Sequence, residues 1–573
     1  MTSSIQNFIR ERRNGRKRAL ALPSWNEDFI IRLGITTILE GHTGCVNCLE
    51  WNKEGSLLVS GSDDQFIRIW RPHDAEQPIS VSNVVTPLSS IKTSHTRNIF
   101  ATRFFDNHSK IISGAADHEV HVTDLTTQQS VFSEKFENRV KKISVVDNYR
   151  FLSAVEDGSA QLSDTRAGRS FPIFSITASN LPRVANIKEV KSIDFHANTN
   201  MIAVGSGGGL VRIFDARFDK NEPTLMFGKM FFPGHCDRDR GGYSVTHVAF
   251  SEDGSELLAN MGSEHVYLYD VKNPSLTSLK LPEFDSTPEE PSPLPSKAEA
   301  LKETGNLLFS EQQYFGAFQT YLDALSSCPG HPVLLNNAAS ALLNRKLIGD
   351  KYESFLFCQR ALKKHSNYRK ARIRAIKLLR NIDLIVAKDE SEKLYEYDLK
   401  NSDKKEISAS RKIRDNILKV LGDVPDDEEE DAESAAPIWL DYKNRFVGHY
   451  NCQTDIKEAS FLGSEFIAAG SDCGNLFVWQ RNGKLIFIAK ADGNILNCVQ
   501  PNPKLTSIAT AGIDNEIKLW QPVDESLSDS YNSVNSTAGL VEHVEENSES
   551  LRQHVRQDNE LMAQMNSQFC VNQ

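Results

Sequence analysis

Three groupings in this 573-residue chain have residue types suited to chemistry. Cys45-Val-Asn-Cys48 is the single Cys-x-x-Cys pair. Zinc binding or thiol exchange would need a second pair, or a helix N-terminus to depress a thiol. Here the pair lies in an alternating strand, where residues three apart face opposite sides, so a structural role is expected. Gly205–Leu210 (GSGGGL) looks like a phosphate loop but lacks the Lys and Ser/Thr that would follow, and it leads into the strand pattern VRIFD rather than a helix. His118 and His121 lack the zinc-protease spacing, and no Gly-x-Ser-x-Gly elbow occurs. These residues predict no catalytic constellation, no metal centre and no cofactor. The expected class is a non-enzymatic binding protein.

A fourth grouping recurs along the chain. In GHTGCVNCLEWNKEGSLLVSGSDDQFIRIW (Gly41–Trp70), Asp64 stands six residues before Trp70, with a Gly-His pair upstream. Further copies end at His121–Asp124, Gln161–Asp164, Arg212–Asp215, Tyr267–Asp270, Phe477–Gln480 and Lys518–Gln521, which makes seven. Asp117 before Thr123, Asp157 before Ser163 and Asp514 before Trp520 repeat the spacing. A buried Asp is costly unless its oxygens are satisfied. His42, Ser60 and Trp70 are expected to supply that network and to pin each three-strand unit to the strand before it. The pattern resembles the WD-repeat family. That resemblance implies a seven-bladed β-propeller, mainly β, in which Ile35–Leu39 completes the last blade and removes open sheet edges. The third, fourth and fifth copies lack the Gly-His pair, and Gly208 and Ser263 stand where Asp is expected in the last two. These blades are expected to be less rigid.

The elements must also accommodate a break. Tyr269 and Trp479 are 210 residues apart, where blades elsewhere repeat every 40–55. Pro282–Ser296 is Pro-rich and reads as a stiff spacer. In the stretch that follows, Leu301, Gly305, Leu308, Ala317, Tyr321, Ala324 and Pro329 match the large, small and helix-breaking positions of the 34-residue tetratricopeptide repeat. A looser copy runs from Pro332 to Ser366, and a third helix pair is expected near Tyr368 and Ile382–Leu399. The expected organisation is an N-terminal helix and basic arm (1–28), blades one to five (29–281), the linker (282–296), a tetratricopeptide-like helical insert (297–400), a helical and acidic linker (401–437), blades six and seven (438–522) and a mostly disordered tail (523–573). Within that tail, Leu540–Met565 reads as a marginal helix.

Composition narrows the function. The net charge of −11 argues against a general nucleic-acid binder. No run reaches the roughly 18–20 apolar residues of a membrane helix. The N-terminus has no secretory signal pattern, and nine scattered cysteines fit reduced thiols of the cytoplasm or nucleus. The basic run Arg10–Arg18 reads either as a solvated arm or as a nuclear import signal. Eight acids between Asp423 and Glu433 read as a solvated segment.

Phe29–Gln65, five blades, a tetratricopeptide insert and two closing blades together resemble the adipose family of WD-and-tetratricopeptide-repeat proteins over about residues 1–522. The resemblance implies a substrate receptor of cullin-4 ubiquitin ligases, docked through damaged-DNA-binding protein 1, with links to fat-storage repression, histones and deacetylases as clients. The family's docking signature is Trp-Asp-x-Arg. This chain has Ser163-Asp164-Thr165-Arg166 and Phe214-Asp215-Ala216-Arg217, which marks Asp164, Arg166, Asp215 and Arg217 as docking residues. The alternative is that both arginines are solvated strand ends. Ile5, Phe8 and Ile9 fall at helical spacing, and the resemblance implies that this N-terminal helix adds to the docking; an unstructured arm is the competing reading. In the insert, Lys302, Asn306, Asn337, Lys370 and Arg374 are similar to the clamp by which co-chaperones hold the C-terminal carboxylates of heat-shock chaperones. A solvated concave surface is the alternative. An interaction scaffold without ligase attachment remains the second function.

Overall fold

The computed structural model describes residues 25–72, 83–176, 189–218, 223–236, 242–276, 278–285, 291–422, 440–524, 533–534 and 536–571. The chain divides into two compact units. One is formed by residues 1–233, 237–275 and 440–573, and the other by residues 234–236 and 276–439.

The first unit contains seven sheets, antiparallel except where Asn83–Val85 joins Leu33–Leu39 and Leu440–Asp441 joins Pro223–Phe231, and they follow from the alternating patterns of the repeats. Blade one comprises Val46–Trp51, Leu58–Ser62, Phe66–Trp70 and Ser89–Lys92. Blade two begins with Ile99–Phe105, blade three with Val140–Val145, blade four with Val190–His196, blade five with Ser244–Phe250, blade six with Ala459–Leu462 and blade seven with Leu496–Pro501. Each of these first strands lies against the first strand of the next blade, and the ring closes from blade seven to blade one. They are buried on both faces and so read as near-continuous apolar runs with a few polar interruptions.

Closure comes from Leu33–Leu39, which pairs antiparallel with Ile517–Pro522 as the outer strand of blade seven. Ahead of it, helix α1 (Glu27–Ile30), capped by the Asn26 side chain, lets Trp25 and Ile30 pack with Leu462, Phe466 and Trp520. The chain's first strand thus completes the chain's last blade, so each end of the repeat run holds the other.

The insert does not fall between blades five and six, as the spacing suggested. It interrupts blade five. Val266–Asp270, the third strand of that blade, pairs antiparallel with Asn444–Phe446, which lies beyond the insert. Without the returning strand Asn444–Phe446, blade five would lack its outer strand. The resulting three-stranded blade would expose an edge of backbone donors and acceptors.

The second unit is a tetratricopeptide-like array of helix pairs: α2 (Ser296–Ser310) with α3 (Tyr314–Ser327), α4 (Pro332–Arg345) with α5 (Asp350–Lys364), and α6 (Arg369–Leu379) with α7 (Leu384–Asn401), followed by α8 (Lys404–Gly422). Gly305 permits the closest approach: a Cβ there would lie 2.5 Å from Tyr321 Cε1. Pro332 starts α4 at the first-turn position that tolerates it.

The start of the Pro-rich segment is not a free spacer. Phe284 stacks on Tyr397 at 4.0 Å and lies under the Arg372 guanidinium at 3.9 Å. Arg372 in turn donates to the Pro282 carbonyl at 2.5 Å. The aromatic and its two neighbouring carbonyl and amide groups find partners on the helices, which proline content alone does not reveal.

The tail is a second correction. Thr537–Val571 forms helix α9, and Ser533–Val534 adds a strand to blade six opposite Ile488 and Ala489. Leu540, Val544 and Leu551 are buried, and Asn547 Nδ2 donates to the Gly448 carbonyl at 2.7 Å. Gly448 has φ +111°, and a Cβ there would meet Val544 Cγ2 at 2.8 Å. The helix expected over Leu540–Met565 is present and longer, and the disorder expected around it is corrected because the surface that stabilises it lies on a blade distant in the chain. The N-terminal residues Ile5, Phe8 and Ile9, the basic run and the acidic run lie outside the described residues.

Candidate functional site

In blade one the spaced residues form one network. His42 Nδ1 lies 2.9 Å from Asp64 Oδ2, and His42 Nε2 lies 2.7 Å from Ser60 Oγ. Trp70 Nε1 donates to the same Ser60 oxygen at 2.8 Å, and Arg68 Nη1 donates to Asp64 at 2.7 Å. Burial alone would raise the Asp64 carboxyl, but bonds from His42 and from the Phe66 and Thr43 amides outweigh it and hold the group well below the carboxylate range. Burial lowers His42, and its ring relays rather than carries charge. Blade two repeats the arrangement with His95, 3.0 Å from Asp117 and 2.9 Å from Ser113. His95 was missed in the sequence because Ser94, not Gly, precedes it.

Blade seven divides the roles differently. Trp520 Nε1 donates to Thr510 Oγ1 at 2.9 Å, while Asp514 accepts from the Gly493 amide and from Lys518. Asp157 in blade three accepts from the Ser159 amide at 2.7 Å. In blade six, His449 turns to Asn260 of blade five, and Asp472 pairs with Lys457, both fully buried.

The ring of first strands carries charges that the repeat pattern did not flag. Lys142 of blade three reaches Glu458 of blade six at 2.5 Å. These strands are not neighbours in the ring, so the pair crosses its axis. Burial would raise Glu458, but Lys142, His247 and the bond from Gln500 together outweigh it and hold the carboxyl low. His247 of blade five sits with them and is pushed down to about 3 by burial and by Lys142.

The same strands are stitched to one another. Glu50 accepts from the Phe104 amide, Ser144 from the Phe195 amide and Asp194 from the Phe250 amide, at 3.1, 3.0 and 2.9 Å. One residue nearer the strand starts, Lys141 and Lys191 approach Asp455 at 4.0 and 3.0 Å. Burial would lower Lys191, but Asp455 and Glu189 outweigh it and raise the ammonium.

The two Asp-x-Arg segments differ. Asp164 ends the strand Ser159–Asp164, and Arg166 stands in the turn beyond it. Its Nη2 donates to Asp164 at 2.8 Å and its guanidinium lies 4.7 Å over the Tyr149 ring, leaving the side chain 58% exposed. The bond to Arg166 lowers Asp164 and raises the guanidinium. Arg217 still belongs to the strand Val211–Phe218, opposite Thr224; its side chain lies outside the described residues. Ser163 is buried 2.7 Å from Ser170 Oγ, and Phe214 packs against Phe174. The Trp of the signature is thus replaced by a hydroxyl pair in one blade and an aromatic pair in the next.

Of the helical constellation, Asn306 and Asn337 meet: Asn337 Nδ2 donates to Asn306 Oδ1 at 3.1 Å, and the Tyr321 hydroxyl donates to it at 2.8 Å. Lys302 is paired with Glu299 of its own helix. Arg374 donates to the Asn336 carbonyl at 2.9 Å rather than standing open to a ligand, and Lys370 is exposed. The amides assemble, while Lys302 and Arg374 are engaged. The cysteine pair is structural in its setting: Cys48 is buried 3.4 Å from Thr102 Oγ1, its thiol pushed up to about 11 by burial.

Seven sheets of four to six strands in a closed ring, with the Asp–His–Ser–Trp network complete in blade one and its Asp–His–Ser part repeated in blade two, define a WD-repeat β-propeller. The WD domain, G-beta repeat family matches residues 34–71 and 184–215. WD and tetratricopeptide repeats protein 1 of Homo sapiens is 31% identical, over 87% of this chain and 86% of that protein. Protein ALTERED SEED GERMINATION 2 of Arabidopsis thaliana is 27% identical over 95% of this chain and 94% of its own. DDB1- and CUL4-associated factor 6 of Homo sapiens is 29% identical over 48% of this chain and 33% of its own. The chain belongs to the family of WD and tetratricopeptide repeats protein 1.

Proposed function

We propose that this protein is a non-enzymatic substrate receptor of a cullin-4 RING ubiquitin ligase, acting in cytoplasm and nucleus. It docks through damaged-DNA-binding protein 1 and presents client proteins, histones or deacetylases among them. The observation that carries this reading is the exposed Arg166, held out by Asp164 and the Tyr149 ring at the edge of blade three. A planar guanidinium fixed in this way offers its remaining donors to carbonyls or carboxylates on a partner at little ordering cost. Similarity to a DDB1- and CUL4-associated factor supports the choice of adaptor.

The test is co-purification of the full chain with damaged-DNA-binding protein 1. Arg166→Ala with Arg217→Ala, and removal of residues 1–20, should each weaken association about tenfold or more, and the combination further. Circular dichroism should be unchanged. Wild-type association of the combined variant would leave the scaffold reading in place of the ligase receptor.

The contact between Asn306 and Asn337 supports that second reading, a groove for the acidic C-terminal peptide of a heat-shock chaperone. Such a peptide should bind as the free acid and lose binding when amidated or when Lys302→Ala and Arg374→Ala are combined. Equal binding of acid and amide would remove the clamp.

A further inference from the structure

Beside the axial ion pair, the first unit has a cavity of about 290 Å³ among blades four, five and six, with His554 of helix α9 on its wall. Its charged lining is Glu189, Lys191 and Asp455, and Lys141 also lies 4.0 Å from Asp455. Asn451 also lines it and is fully buried. Its Nδ2 donates to Thr246 Oγ1 at 3.3 Å and to Asn260 Oδ1 at 3.1 Å, but its Oδ1 has no partner among the described residues. The amide cannot turn over to relieve this, because Oδ1 would then face the Asn260 oxygen. A buried acceptor left unmade costs about 1–3 kcal/mol and calls for a donor.

We propose that this cavity receives the cationic side chain, arginine or lysine, of a partner polypeptide. The unpaired Asn451 oxygen and the Asp455 and Glu189 carboxylates are the acceptors that a guanidinium or ammonium needs. Lys191 now occupies the carboxylates, 3.0 Å from Asp455 and 3.1 Å from Glu189, and acts as a resident cation that the incoming one displaces or shares with. The cavity is at the lower limit of small-molecule pockets, and it suits one long side chain whose backbone stays outside. This inference stands without ligase docking, since it concerns a different surface of the propeller and a different partner.

The experiment is fluorescence anisotropy on the full-length protein, using a short labelled peptide of Ala, Ser and Gly around a single arginine. Matched peptides carry lysine, norleucine or glutamate at that place. The arginine and lysine peptides should bind saturably and the other two should not. Asp455→Asn and Glu189→Gln should each weaken binding about tenfold with circular dichroism unchanged. Lys191→Met should strengthen it by a similar factor, because it removes the competing cation. Three results would overturn the proposal: equal binding of the norleucine peptide, unchanged affinity in Asp455→Asn, or binding of the glutamate peptide that Lys191→Met abolishes. Failure of the arginine peptide to bind at millimolar protein would do the same.

Discussion

Blades one and four present the same four strands held by different means. In blade one, Asp64, His42, Ser60, Trp70 and Arg68 bond one another, with Arg68 Nε left without a partner among the described residues. In blade four, Val204 stands where Ser60 does and Ser206 where Ser62 does, the turn has Gly208, and no His faces it among the described residues. Arg212 donates one bond to Ser206 at 2.8 Å, its Nη2 has no partner among the described residues, and burial lowers the guanidinium to about 10. Phe214 packs on Phe174 and with Val204, Ile202 and Ala216 in place of the Trp anchor. The strand pairing survives both solutions. Backbone bonds and apolar packing therefore make the blade, and the polar network adds rigidity to a structure already specified.

The largest expected way to separate the two blades is acid. His42, His247 and His449 are held neutral by burial, with folded values below the ordinary 6.5. The unfolded chain takes up these protons first, so stability is full above about pH 6.5 and falls as pH drops through that value. His247, at about 3, alone accounts for about 2 kcal/mol lost by pH 5, and the other two add in the same direction. Asp117, lowered to about 2 because His95 and backbone amides outweigh its burial, keeps its contribution until pH falls below about 4. Thermal melts should show a lower Tm at pH 5 than at pH 7, with amide exchange in blade one accelerating before that in blade four. A flat Tm between these values would contradict burial of neutral histidines.

Asp64→Ala comes next. It leaves His42, Arg68 and the Phe66 and Thr43 amides without their acceptor, and should cost on the order of 3 kcal/mol in urea unfolding. Asp157→Ala in blade three, where one amide bond is lost, should cost under about 1 kcal/mol. Equal losses would mean that the network adds nothing to local turn bonds.

The smallest and sharpest contrast is between two arginines. Arg212→Met replaces a buried cation that bonds a hydroxyl and, among the described residues, no carboxylate, and should be neutral or stabilising by about 1 kcal/mol. Arg68→Met removes a partner of Asp64 and should destabilise by about 1–2 kcal/mol. The same sign for both would erase the distinction drawn between the blades.

Much of the propeller was legible. The Asp-to-aromatic spacing located Asp64 and Trp70, and the Gly-His pair led to His42, because one short repeat contains all of that network. His95 escaped because the pattern was read by its glycine rather than by the imidazole that bonds Asp117. Gly305 and Tyr321 were found for a similar reason: helix pairs close over short distances in the chain.

Other features depended on closure of the ring. Lys142 and Glu458 are 316 residues apart and meet only because the blades do. The cavity takes Glu189, Asn451, Asp455 and His554 from three blades and a tail helix, and the unpaired oxygen of Asn451 is a property of its neighbours rather than of its repeat. Blade five took its last strand from beyond the insert for the same reason, since an open edge finds whichever strand lies beside it. Local spacing is written in the sequence because a turn and its strands are contiguous. Partners across the axis are selected by geometry, and so the charges that line the centre acquired their meaning only in the folded ring.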